Sequence, residues 1–97
     1  MPTSAWLARF VGDLDLLSPD QKAAFLTAVA QFVEDLGRGE GFRKGLRVKG
    51  VKGAEGIFEM TWADDGRATF EYGVPVKEGE PHVIWRRIGA HKILNEP

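Results

Sequence analysis

A chain of 97 residues, 43% hydrophobic and 28% charged with a formal charge of −1, is material for one small domain, since pieces of it would be too short to bury a core. It contains no cysteine, which excludes disulfides and thiolate metal sites and fits a cytoplasmic location. No window approaches the ~18 apolar residues of a membrane span, and MPTSAWLARF has no basic segment leading into an apolar core, so no signal peptide is expected.

Trp6, Leu7, Phe10, Val11 and Leu14 recur at helical spacing. They predict a first helix capped by Thr3 or Ser4 and ending near Leu16. Ser18-Pro19-Asp20-Gln21 opens a second helix: Ser18 and Gln21 form a capping box, Pro19 suits the first helical position and Asp20 faces the positive end of the dipole. Phe25, Ala28, Val29, Phe32, Val33 and Leu36 make one apolar stripe, and Gly37 is the predicted left-handed stop. GRGEGF, residues 37–42, follows a helix and precedes none, so it reads as a linker and not as a phosphate-cradling loop.

The charge pattern changes at this point. Residues 1–37 carry Asp13, Asp15, Asp20, Glu34 and Asp35 against Arg9 and Lys22, whereas residues 38–53 carry Arg38, Arg43, Lys44, Arg47, Lys49 and Lys52 against Glu40 alone. A basic middle of this kind is either a solvated sheet edge or the footprint of an anionic partner.

The period then becomes two. Leu46–Val51, Ile57–Trp62, Arg67–Tyr72 and His82–Ile88 are predicted strands, rich in β-branched and aromatic residues. Ala63-Asp64-Asp65-Gly66 predicts a hairpin turn in which Asp-Gly supplies positive φ angles. The short connections favour an antiparallel meander of three or four strands, with both helices on one face. The domain thus divides into a helical hairpin at about 4–37 and a sheet at about 46–94, an α+β architecture. Alternation sends Phe58, Met60, Trp62, Ala68, Phe70, Tyr72, Val83 and Trp85 towards the helices. It leaves Arg67, Glu71 and one of Arg86 or Arg87 on the other face, near Arg47 and Lys49.

These residue types exclude some chemistries. There is no thiol nucleophile, and two histidines nine positions apart, without a carboxylate at ligand spacing, make no zinc signature. Phosphodiester cleavage without a metal remains open. Attack by a ribose hydroxyl needs a proton acceptor, cations to offset charge at phosphorus and a proton donor for the leaving oxygen. His91 suits a proton role, and Arg67, Arg86 or Arg87, Lys49 and Tyr72 supply cations and a hydroxyl. The other account of His91 is a surface residue after a strand, and His82, beside Pro81, reads as structural.

The order of these pieces resembles the RelE/ParE toxin superfamily of type II toxin–antitoxin systems over about residues 7–94. The features that carry it are the helical hairpin, the basic connector, GIFEMTW, the hairpin DGRATFEY and a last strand ending RIGAHKIL. That ending is similar to the R-x-G-x-H-x-x-L/F close of the YafQ-like branch of mRNA interferases. The resemblance implies a RelE-like fold and a metal- and cofactor-independent endoribonuclease that cuts mRNA, on the ribosome, with a cognate antitoxin as partner and no membrane involvement. It implies His91, Arg67 and Arg87 as catalytic residues. Arg47, Lys49, Lys52, Arg86 and Tyr72 would hold RNA and its phosphates. Two departures stand out: the chain reads as opening on a helix where the family opens on an edge strand, and it is not strongly basic. Two other functions accommodate the same fold, a ParE-like topoisomerase inhibitor and a nucleic-acid- or protein-binding module without catalysis.

Overall fold

A computed structural model describes residues 1–97. In chain order the elements are β1 (Thr3–Trp6), α1 (Ala8–Asp15), α2 (Pro19–Arg38), a 3₁₀ turn (Lys44–Leu46), β2 (Lys49–Gly50), β3 (Phe58–Thr61), β4 (Gly66–Gly73), β5 (His82–Ala90) and a closing 3₁₀ turn (His91–Asn95). The sheet order is β1-β5-β4-β3-β2. Strands β2 to β5 form the expected antiparallel meander, and β1 adds a parallel fifth strand beside β5.

That added strand corrects the sequence reading at the N-terminus. Residues 3–6 do not cap or begin a helix: they pair in register with His82–Trp85. The amides of Thr3 and Leu7 donate to the Pro81 and Trp85 carbonyls at 3.0 Å. Helix α1 starts only at Ala8 and has no side-chain cap. The helical spacing of Trp6 and Phe10 comes instead from a strand residue leaning on the first turn of the helix, their rings 5.2 Å apart.

The signals at the start of α2 act as read, with both halves of the Ser18–Gln21 capping box formed. Its end lies one turn fraction later than expected. Gly37 is inside the helix, and the left-handed residue is Gly39 at φ 69°, whose amide donates to the Asp35 and Leu36 carbonyls. The expected strand Leu46–Val51 shrinks to Lys49–Gly50, because the preceding residues wind into a 3₁₀ turn that ends on Arg47 in the left-handed region at φ 49°.

Both helices cover one face of the sheet. Phe10 of α1, Phe25, Ala28 and Phe32 of α2 and Met60, Ala68, Phe70, Val83, Trp85 and Ile88 of the sheet are all buried in one core. Within it Phe32 packs against the rings of Phe42, Phe70 and Trp85 at 4.9, 5.0 and 5.2 Å. Each such side chain contributes roughly 1.5–3 kcal/mol by leaving water.

Strict alternation fails once, in β5. The register pairs Phe70 with Trp85 but Thr69 with Arg87, so Arg86 is an extra residue in a bulge. The bulge lets Val83, Trp85 and Ile88 all reach the core, although strict alternation from Val83 and Trp85 would turn Ile88 to the other face. It also brings both arginines out together where alternation expected only one.

Candidate functional site

The face away from the helices is built from cross-strand rows. Lys49 stands opposite Glu59, Glu59 opposite Thr69 and Thr69 opposite Arg87. The next row joins Thr61, Arg67 and Gly89. The closing turn packs over this face, with Ile93 buried and its Cγ2 against Gly89, where an added Cβ would sit 3.0 Å away. This anchors the exposed His91 at the mouth of a cavity of about 400 Å³ lined by Lys49, Val51, Lys52, Glu59, His91 and Leu94. Residues from opposite ends of the sheet half, β2 and the C-terminal turn, therefore meet in one hollow. Lys49 also borders a neighbouring hollow with Lys44 and Arg47, so the basic rim is continuous along β2.

The predicted arginines are employed elsewhere. Arg67 folds onto its own hairpin, its Nη1 donating to the carbonyls of Ala63, Asp64 and Gly66 at 3.0–3.3 Å. Its Nε lies 3.9 Å from Glu59 Oε1, so it borders the cavity through that carboxylate and does not line it. Arg87 Nε donates to Asp13 Oδ2 at 2.6 Å and Nη1 to the Glu96 carbonyl at 3.0 Å. Arg86 donates to Glu71 and, at 3.1 Å, to the Pro97 backbone oxygen, which also accepts from Thr69. Neither arginine lines the cavity. The physical reason is local: each guanidinium has a carboxylate and a tail carbonyl within reach.

Tyr72 shares the parity of Ala68 and Phe70, so it stands on the helix-side face, packed against Phe58 and Phe70 at 5.4 and 5.7 Å. Partial burial raises its phenol above the ordinary range. The structure does not bring Tyr72 to the hollow. His82 is structural as expected, its Nδ1 2.7 Å from Thr3 Oγ1 where β1 meets β5.

Two acidic groups that the sequence reading did not single out organise this region. Asp35, 1% exposed, accepts from the backbone N, Nε and Nη2 of Arg43 and from Nη2 of Arg38. The Arg43 guanidinium and amide hold its carboxyl well below the usual range, and Asp35 in turn raises Arg43. This clamp ties the start of the basic segment to the end of α2. Asp13 plays the same part for β5, accepting from Arg87 and from the Ile88 amide. At the tail, Arg9 pairs with Glu96 at 2.8 Å and lowers its carboxyl. A clue to the Arg43 clamp was present in the sequence as an acidic pair, Glu34-Asp35, one helical turn before a run of cations.

A groove holding an imidazole, two lysines and a carboxylate on an open sheet face suits an anionic ligand and proton transfer. The groups present include no cluster of three or more metal-ligating side chains, and no helix is long and apolar enough to cross a membrane.

The fold itself is the RelE/ParE toxin fold. The protein resembles a chain of the Escherichia coli DinJ–YafQ toxin–antitoxin complex, with TM-score 0.62, 11% identity and 96% of each chain covered. It resembles a chain of the RelB–RelE antitoxin–toxin complex of Methanococcus jannaschii with TM-score 0.59, 16% identity and 94% of each covered. For the YoeB/ParE toxin of Agrobacterium tumefaciens the TM-score is 0.65 at 11% identity, covering 92% of this chain and 98% of that one. No family model and no curated relative matches the sequence. The edge strand β1, unforeseen in the sequence, removes the topological departure from the family pattern.

Proposed function

We propose that this protein is the toxin of a toxin–antitoxin pair and acts as a metal-independent endoribonuclease on mRNA during translation. The observation that carries the reading is the convergence of His91 with Lys49 and Lys52 on one cavity, in a fold shared with chains of solved toxin–antitoxin complexes. His91 transfers a proton at the scissile linkage, while Lys49 and Lys52 offset the charge that develops on phosphorus. Arg47 and Lys44 extend the basic rim along the RNA. Arg67 borders the cavity from beside Glu59, Arg87 ties β5 to α1, and Arg86 holds the C-terminal segment. The partner is an antitoxin that covers this basic face.

Induction in bacterial cells should arrest growth and leave cuts in translated messages. His91→Ala should relieve both. Normal growth with intact message under strong induction refutes the reading. A second reading, a non-catalytic binding protein or topoisomerase inhibitor of the same fold, is favoured by the internal pairing of Arg86 and Arg87. It requires growth arrest or RNA binding that survives His91→Ala.

A further inference from the structure

The two edges of the sheet are built in opposite ways. The β2 edge is Lys49–Gly50, two residues long and flanked by Arg47 and Lys52. Short, lysine-bearing strands of this kind resist pairing with a further strand. The β1 edge, Thr3–Trp6, has no such protection: residues 3–8 read TSAWLA, without a charge or a proline. We propose that β1 is the contact through which two copies of this chain associate, pairing antiparallel about a two-fold axis so that their sheets become one.

The backbone is arranged for it. Strand β1 runs parallel to β5, with Thr3 opposite His82 and Trp6 opposite Trp85. The amides of Thr3 and Leu7 donate to β5 and the residue before it. The amides and carbonyls of Ser4 and Trp6, of the other parity, therefore point away from β5. No turn, loop or cap bond takes them up. In a two-fold pair centred on Ala5, Ser4 stands opposite the second copy's Trp6 and exchanges both backbone bonds with it, and the symmetry repeats the exchange. Ala5 then meets its own copy at a position without backbone bonds, where Cα atoms approach to ~4.5 Å and a methyl group fits.

The side chains suit the same partner. Trp6 leans on α1, its ring 5.2 Å from that of Phe10, yet it stays 49% exposed. Leu7 and, one helical turn on, Val11 are 39% and 47% exposed. Opposite Trp6 the pairing sets Ser4, small enough to leave the indole room. A two-fold contact brings each surface against its own copy, so any charge on it would oppose itself. The uncharged β1 edge meets that condition and the cationic β2 edge does not. The hollow with His91 borders β2, at the far end of the strand order, so the pairing leaves it open in both copies.

The contact is small, in the class under ~1,200 Å² that associates transiently, and dimers should form at roughly micromolar concentrations or above. The test is sedimentation of the full chain from ~1 µM to ~1 mM, with amide exchange followed across the same range. Wild type should pass from monomer to dimer. Exchange at Ser4 and Trp6 should slow with the dimer fraction, while the Ala5 amide, turned to β5, stays equally protected throughout. Ser4→Pro removes an outward amide and no bond to β5, which an edge strand tolerates. Ser4→Lys sets a cation on each side of the axis without touching the backbone. Each variant should keep the wild-type unfolding midpoint when dilute and raise the dimer Kd about tenfold or more; the lysine variant decides if the proline variant does not fold. A chain still monomeric at ~1 mM overturns the proposal and leaves the edge to a strand of another protein. A dimer whose Kd neither substitution changes, or whose Ser4 and Trp6 amides exchange as in the monomer, overturns it in favour of another surface.

Discussion

Replacing Gly66 by alanine should destabilise the protein, for a reason opposite to the one its place in an Asp-Gly turn suggests. A glycine needed for positive φ would be held by backbone strain, yet Gly66 is not among the residues with positive φ. The turn closes through the Gly66 amide to the Ala63 carbonyl at 3.0 Å, and the Trp62 amide donates to the Gly66 carbonyl at 3.1 Å. What excludes a side chain is the Trp62 ring: an added Cβ would meet Cε2, Cδ2 and Cζ2 at 2.6, 2.7 and 2.9 Å. Phe25 abuts the ring edge-on at 6.5 Å between centroids, so on that side the ring has no free space to move into. Restricting the unfolded chain would by itself stabilise by ~0.4–1 kcal/mol, whereas overpacking costs ~1–3 kcal/mol. The balance is a loss of about 1–2 kcal/mol, and each kcal/mol lowers the midpoint of a domain this size by roughly 4–8 °C. Thermal and urea unfolding measure it directly. In a Trp62→Leu background the penalty should disappear, as expected for two groups in contact. The Gly39→Ala substitution is the control: at φ 69° with nothing within 4 Å it should lose ~1–2 kcal/mol through backbone strain, whatever stands at position 62. A Gly66→Ala protein as stable as wild type, or a penalty that persists without Trp62, would refute the steric account.

Two other substitutions probe the clamps. Because Asp35 is held below its ordinary value of ~3.9 by Arg43, its ionised form contributes stability that is present above that pH and fades as pH falls towards the lowered folded value. The margin of wild type over Asp35→Asn in urea unfolding should therefore narrow from about pH 5 to pH 3; a constant margin would contradict the clamp. Asp13→Ala leaves Arg87, 14% exposed, without its carboxylate and the Ile88 amide without its acceptor, and should cost about 3–5 kcal/mol. Adding Arg87→Leu should recover part of that loss in a double-mutant cycle, and no recovery would mean that the pair is not what joins α1 to β5.

The C-terminal turn shows how the site depends on contacts distant in sequence. His91 is placed by Ile93 on Gly89, and the residues after it are held by arginines of the bulge and by Arg9. The basic segment that leads into β2 is tied at Arg43 to a carboxylate at the end of α2. Neither arrangement leaves a pattern in the segment that it positions.

What the sequence determined by itself was whatever local chemistry decides. Helix α2 begins where a capping box, a proline and an acidic first turn coincide, and the meander follows from period-two runs joined by short polar turns. His91, Lys49 and Lys52 were also legible as candidates, because residue type and order are local properties. Tertiary structure decided the rest. Four residues, Thr3–Trp6, become a strand only because β5 offers an unpaired edge nearly eighty positions later in the chain. The extra residue at Arg86 exists only relative to β4, and it decides the faces of Arg86, Arg87 and Ile88. Whether an arginine is free for a ligand depends on which carboxylates the fold brings beside it: Asp13, Glu59 and Glu71 took up or bordered the guanidinium groups that the sequence left unassigned. Long-range electrostatic pairing and strand register belong to the closed chain, since each is a relation between segments that meet only after folding.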